Sequence, residues 1–207
     1  MFNDCQKITQ RLKQNNQDNN DLRKEYKDNE NFSLEKSKLL SKFDNFANYE
    51  NTKDKQKRGY LLENLLISIF DLYKIETQKS FRRNQGGEQI DGAFKFDGWY
   101  YLVECKWTEK LTDIKQLDSL YGKVNRSGKQ TLGLFLSING WSANVCSLLK
   151  QNHDKSIILM DGYDLRCVLS EYNNLDLKLL LSKKLDCFNF DGEPFYSAIK
   201  LLHNKQP

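Results

Sequence analysis

Gln89-Ile-Asp91-Gly-Ala-Phe-Lys95-Phe-Asp97-Gly98-Trp-Tyr-Tyr-Leu-Val103-Glu104-Cys-Lys106 is the stretch whose reading decides the fold. Asp-Gly is favoured in two-residue hairpin turns, because both central residues of such a turn take positive φ. Alternating apolar and polar residues on either side of Asp97-Gly98 predict two antiparallel strands. With Phe96 opposite Trp99, paired residue numbers sum to a constant, so Asp91 is expected across from Glu104 and Gln89 across from Lys106. One face of the ribbon then carries Ile90, Gly92, Phe94, Phe96, Trp99, Tyr101, Val103 and Cys105, and reads as core. The other carries Gln89, Asp91, Ala93, Lys95, Tyr100, Leu102, Glu104 and Lys106.

Two carboxylates and a lysine thus share one small patch. Directly opposed like charges are destabilising in a sheet. At an effective dielectric of about 20 and a separation of about 5 Å, two carboxylates repel by roughly 3 kcal/mol. A site that keeps such a conflict commonly holds a cation. Mg²⁺ suits it, since this hard ion takes one or two carboxylates and leaves its other positions to water and phosphate. Lys106 would stand beside the metal-bound water and a phosphate oxygen, which is equipment for phosphodiester hydrolysis. The competing interpretation is a solvated strand face with a cross-strand Asp, Glu and Lys network.

Asp91, twelve intervening residues, then Glu104-Cys105-Lys106 resembles the PD-(D/E)xK nuclease superfamily, and within it the Mrr-like restriction endonuclease domains. The resemblance covers roughly residues 55 to 160. Gln89-Ile90 stands where the family's proline would precede Asp91, and Gln116 with Tyr121 only approximates the Gln-x-x-x-Tyr element of RecB-like members. The resemblance implies a three-layer α/β fold with a mixed central sheet flanked by helices. It implies catalytic Asp91, Glu104 and Lys106, with Mg²⁺ as cofactor and Mn²⁺ as its substitute. The expected activity is metal-dependent cleavage of DNA in defence against foreign DNA. A repair or junction-resolving nuclease is the alternative enzyme, and a catalytically silent binding module on the same fold is the alternative of another class.

Glu63 interrupts an amphipathic helix in which Leu62, Leu65, Leu66, Ile69, Phe70 and Tyr73 recur at helical spacing. A glutamate among such neighbours either reaches out to solvent or finds a cation or donor. The family resemblance implies that it completes the acidic cluster, as a third metal-binding carboxylate beside Asp91 and Glu104.

Around this centre, Ile75 to Phe81 reads as a strand. Arg82-Arg83-Asn84-Gln85-Gly86-Gly87 reads either as a flexible surface loop or as a place where amides and guanidinium groups approach phosphates. Thr112 is the expected cap of a helix whose Ile114, Leu117, Tyr121 and Val124 align, leaving Lys115, Lys123 and Arg126 on other faces. Together with Lys110 and Lys129 these are candidates for a DNA-backbone groove, although scattered lysines commonly just solvate a helix. Thr131 to Ile138 predicts a central buried strand ended by Asn139-Gly140, with Ser142 capping the next helix. Ser156 to Met160 predicts another strand, Asp161 a helix start with Leu165 and Val168, and Leu175 the start of a further amphipathic segment.

At 207 residues and a net charge of +4, the chain accommodates one domain plus an extension and permits nucleic-acid binding without demanding it. The expected division is a polar, helical N-terminal extension over residues 1–50 and the nuclease domain over 51–207. In the extension, residues 1 to about 30 read as a mobile or loosely helical arm. Ser33 would cap a helix carrying Leu39, Leu40, Phe43 and Phe46. The five cysteines form no Cys-x-x-Cys pair and read as reduced thiols, and no apolar stretch supports secretion or membrane spanning. A cytoplasmic protein is expected, with DNA as partner, no membrane, and either a homodimer or a partner protein supplying a second cut. Ser127-Gly128-Lys129 lacks the spacing of a phosphate loop. His153 and His203 lack metal-ligand spacing and are expected at surface or helix-terminal positions.

Overall fold

Asp97 (φ 49°) and Gly98 (φ 78°) both take the left-handed backbone that a two-residue hairpin demands, and they join β2 (Glu88–Phe96) to β3 (Trp99–Lys106). The computed structural model describes residues 24–45, 55–83, 85, 87–152, 154 and 156–203. The expected register is present from Phe96↔Trp99 to Gly92↔Val103. Phe94 and Tyr101, directly opposite each other, stack at 4.4 Å between ring centroids.

β1 (Glu76–Arg83) pairs antiparallel with β2, while β4 (Thr131–Ser137) and β5 (Ile157–Asp161) extend the sheet in parallel beyond β3. The order β1-β2-β3-β4-β5 makes an open mixed sheet with β3 at its centre. The parallel half needs crossovers, which α3 (Ile114–Asn125) and α4 (Val145–Gln151) supply. Leu117, Leu120, Val124, Val145 and Leu149 from these helices cover one face, against Leu102, Phe135 and Leu159. The other face, with Val103, Leu134, Leu136 and Met160, lies under α1 (24–45) and α2 (Lys55–Leu72). It is also covered by α5 (Gly162–Leu169), α6 (Leu177–Asp191) and α7 (Ala198–His203). Helix, sheet and helix form the three layers expected. Gly133 lets α3 lie close to β4, since a Cβ there would stand 2.9 Å from Leu120 Cδ2.

Several local expectations are corrected. Asp91 and Glu104 are not a ladder pair: β2–β3 pairing ends at Gly92↔Val103, and the Cys105 amide donates to Asp91 Oδ2 at 3.0 Å. A side chain has taken a donor that points toward β2. The strand turns there, and Ile90 packs with Leu102 and the α3 cluster rather than beside Phe94. Nor is the face bearing Leu102 and Glu104 open, for α3 buries both residues. The cap of α3 is Asp113, in a reciprocal capping box with Gln116, instead of Thr112. Thr112 is buried, and its hydroxyl bonds that of Ser137 at 2.8 Å. Asn144, not Ser142, precedes α4.

At the N-terminal side, α1 already runs through Ser33, whose hydroxyl bonds Glu171 rather than capping a helix. Leu39 and Phe43 are buried as expected. Residues 1–23, Phe46 and His153 lie outside the described residues, and His203 is exposed at the end of α7. No helix among the described residues is long and apolar enough to cross a membrane.

Candidate active site

The end of β3 is where the sheet stops being purely structural. Tyr101, Val103 and Cys105 face the α2 layer, whereas Glu104, on the alternate face, lies under α3 with 4% of its surface exposed. A carboxylate so buried needs counter-charge. Two ammonium groups provide it: Lys106 Nζ on Oε1 and Lys123 Nζ on Oε2, each at 2.9 Å. Lys123 comes from α3, beside the Leu120 and Val124 stripe that holds the helix on the sheet. Burial works against the Lys106 charge, but the Glu104 carboxylate beside it holds the ammonium above its ordinary range.

Glu63, on the third turn of α2, and Asp91, where β2 ceases to pair with β3, line one cavity of about 720 Å³ together with Lys106, Gln89 and Gln116. Burial and then the nearby Asp91 charge push the Glu63 carboxyl up to about 7, with Lys106 opposing. Asp91 is also raised, chiefly by burial and further by Glu104, against the Cys105 amide, Lys106 and Lys123. No hydrogen bond or ion pair holds Glu63 among the described residues. The chain therefore sets carboxyls from two different elements into one cavity without neutralising Glu63 directly.

Residues 107–113 form the cavity's border and are fastened to the end of β4. The Ile138 amide donates to Lys106 O at 3.0 Å, Asn139 Nδ2 to Thr108 O at 2.6 Å, and the Thr112 amide to Gly140 O at 3.1 Å. Trp107 also meets Phe43 of α1, with centroids 6.3 Å apart. These bonds fix the segment immediately after Lys106, so the lysine emerges from a rigid support.

Of the six basic residues expected at a DNA surface, three are engaged inside the chain. Arg83 and Arg126 both bind Glu88, Arg83 also donating to Ser127 and to Lys123 O, and Lys123 holds Glu104. Arg82, Lys110 and Lys115 are exposed, and Lys110 lines the cavity. Sequence spacing alone did not reveal the Lys123–Glu104 pair. Its signal was the position of Lys123 on the border of the buried α3 stripe. Arg58 and Tyr60, five and three residues before Glu63 on α2, also line the cavity.

A mixed five-stranded sheet between helical layers, with acid groups and a lysine at the end of its central strand, defines a restriction-endonuclease-like nuclease domain. The chain belongs to the Mrr catalytic family of restriction endonucleases, whose family model matches residues 55–169, more than half of its length. Among solved structures it is similar to the small subunit of the heterodimeric restriction endonuclease R.BspD6I. Identity is 14%, TM-score 0.50, and the match covers 76% of this chain and 91% of that one. It is also similar to a protein of unknown function, AF1548, at 18% identity and TM-score 0.43, covering 60% of this chain and 66% of that one. A third is the MspJI restriction endonuclease in complex with a 27-mer oligonucleotide, at 15% identity and TM-score 0.41, covering 70% and 35%. No curated protein matches the chain.

Proposed function

We propose that this chain is a divalent-metal-dependent endonuclease that hydrolyses DNA phosphodiester bonds in the cytoplasm, in restriction or another defence against foreign DNA. The observation that carries the reading is the convergence of Glu63, Asp91 and Lys106 on one cavity, with Glu104 buried between Lys106 and Lys123. Family membership adds the class of reaction.

The donor set fits Mg²⁺, with Mn²⁺ as its substitute. Glu63 and Asp91 are hard oxygen donors, both raised by burial, so a cation would relieve the cost of ionising them. Among the described residues no three acidic, cysteine or histidine side chains already form a cage. Asp91 and Glu63 would hold the ion, and Glu104, whose oxygens are taken by Lys106 and Lys123, would join them on releasing one of those lysines. When bound, such a cation makes a water more acidic and offsets charge growing on the phosphoryl group.

Lys106 presents its ammonium in the same cavity, where it orients the attacking oxygen and faces a non-bridging phosphate oxygen. Lys123 holds the Glu104 carboxylate in place while DNA is absent. Arg82, Lys110 and Lys115, all exposed, would meet the DNA backbone. A double-strand cut would favour a second site, from another copy of the chain or from a partner protein.

Nicking of supercoiled plasmid as a function of Mg²⁺ concentration tests the reading. Glu104→Ala and Lys106→Ala are expected to lose at least about a hundredfold in rate. Undiminished cutting in both variants, or cutting by the wild type in EDTA, overturns it.

A further inference from the structure

Of the basic residues that line the cavity, Arg58 and Lys110 are paired with no carboxylate among the described residues. Lys106 and Lys123 are matched by Glu104, and Arg83 and Arg126 by Glu88. Arg58 makes no ion pair among the described residues, and its Nε is buried without a hydrogen-bond partner. It lines the same cavity as Glu63, Asp91 and Lys106. With Nε closed off from solvent, the Nη groups are the donors of Arg58 that can meet a ligand in that cavity.

The surroundings indicate which acceptor. Glu63 follows Arg58 by five residues on α2, and both line the cavity that also holds Asp91 and Lys106. Gly59 leaves that helix surface open, since a Cβ there would meet nothing within 4 Å. A guanidinium offers parallel N–H groups that match two oxygens of one phosphate.

We propose that Arg58 grips a phosphate of the bound strand near the scissile phosphate, with its two Nη groups donating to the non-bridging oxygens. This rests on the nuclease reading and adds a subsite to it. Arg58 sets the position of the strand, so that the scissile phosphate arrives between Asp91 and Lys106. It acts on every sequence alike, because a phosphate carries no base identity.

The test is fluorescence anisotropy of a fluorescein-labelled DNA duplex titrated with the full chain in EDTA, over a series of NaCl concentrations, for wild type, Arg58→Gln and Arg58→Lys. Arg58→Gln is expected to bind about tenfold more weakly to every duplex, with the slope of log affinity against log salt reduced by about one. Arg58→Lys keeps the salt slope and recovers only part of the affinity, because it lacks the paired donors. Thermal melting of each variant reads the fold separately. Weaker binding with an unchanged salt slope would mean a structural role and overturn the proposal, as would affinity equal to wild type in Arg58→Gln. If that variant binds normally while the wild type still cuts with Mg²⁺, the nuclease reading stands without the subsite. If the wild type neither binds nor cuts DNA, both readings fail.

Discussion

Replacing Glu63 by glutamine should make the protein more stable in mild alkali and leave it unchanged in acid. Burial and the Asp91 charge raise the Glu63 carboxyl from 4.5 to about 7 in the fold. A tenfold change in proton affinity corresponds to about 1.4 kcal/mol, so a fully shielded group raised this far would cost roughly 3 kcal/mol to ionise. Glu63 is only partly buried, and solvent screening reduces that to about 1 to 1.5 kcal/mol. Because the folded value lies above the unfolded one, the native state holds the extra proton between about 4.5 and 7. The stabilisation is complete in acid and is lost as the pH rises through about 7. Glu63→Gln mimics the protonated form at every pH. Urea denaturation in EDTA should therefore find the two proteins equal below about pH 4 and the variant more stable by about 1 kcal/mol near pH 8, a difference of about 2 to 4 °C in Tm. Saturating Mg²⁺ at pH 8 should close the gap by stabilising the wild type. A gap that is the same at every pH, or a variant less stable at pH 8, would refute the electrostatic account.

Three further outcomes are expected from the structure. Lys184 is wholly buried, paired with Asp164 at 2.6 Å and donating to the carbonyls of Leu159 and Tyr196. Lys184→Met strands the Asp164 charge, and urea denaturation should show a loss of about 3 to 5 kcal/mol. In a double-mutant cycle, Lys123→Met and Glu104→Gln should each destabilise, with a coupling of about 0.5 to 3 kcal/mol between them; zero coupling would mean that the pair does not act as a unit. A Cβ at Gly162 would lie 2.5 Å from Ile138 O, a backbone atom at the end of β4. Gly162→Ala should cost about 1 to 3 kcal/mol by thermal denaturation, and an unchanged Tm would show that the start of α5 moves freely.

What the sequence revealed, and what it concealed, divides by the range of the interactions. The Asp97-Gly98 turn was legible because its backbone requirement is local, and it fixed the five pairs from Phe96↔Trp99 to Gly92↔Val103. The element order from α2 to α5 followed from periodicity, with Asp161 capping α5 as its sequence position implied. Strict alternation failed at Asp91, where a side-chain acceptor for the Cys105 amide replaced the next ladder pair. That exchange depends on tertiary position and leaves no periodic mark. The cover on Leu102 and Glu104 was also hidden, because an alternating strand looks half-exposed until the crossover helix is laid on it. Lys123 finds Glu104 across nineteen residues of chain, and Lys184 finds Asp164 across twenty. As single letters in amphipathic helices, both lysines resemble solvated ones. Arg58 gave no signal of its own beyond lying one and a half turns before Glu63.

The central claim is that Asp91 and its neighbouring carboxylates hold the cation that serves DNA cleavage. Anomalous diffraction from crystals soaked in Mn²⁺ tests it most directly. The account predicts a manganese peak in the cavity, within coordinating distance of Asp91 and at least one of Glu63 and Glu104, absent from crystals of Asp91→Asn. A peak bound elsewhere, with that cavity empty at saturating Mn²⁺, would contradict it.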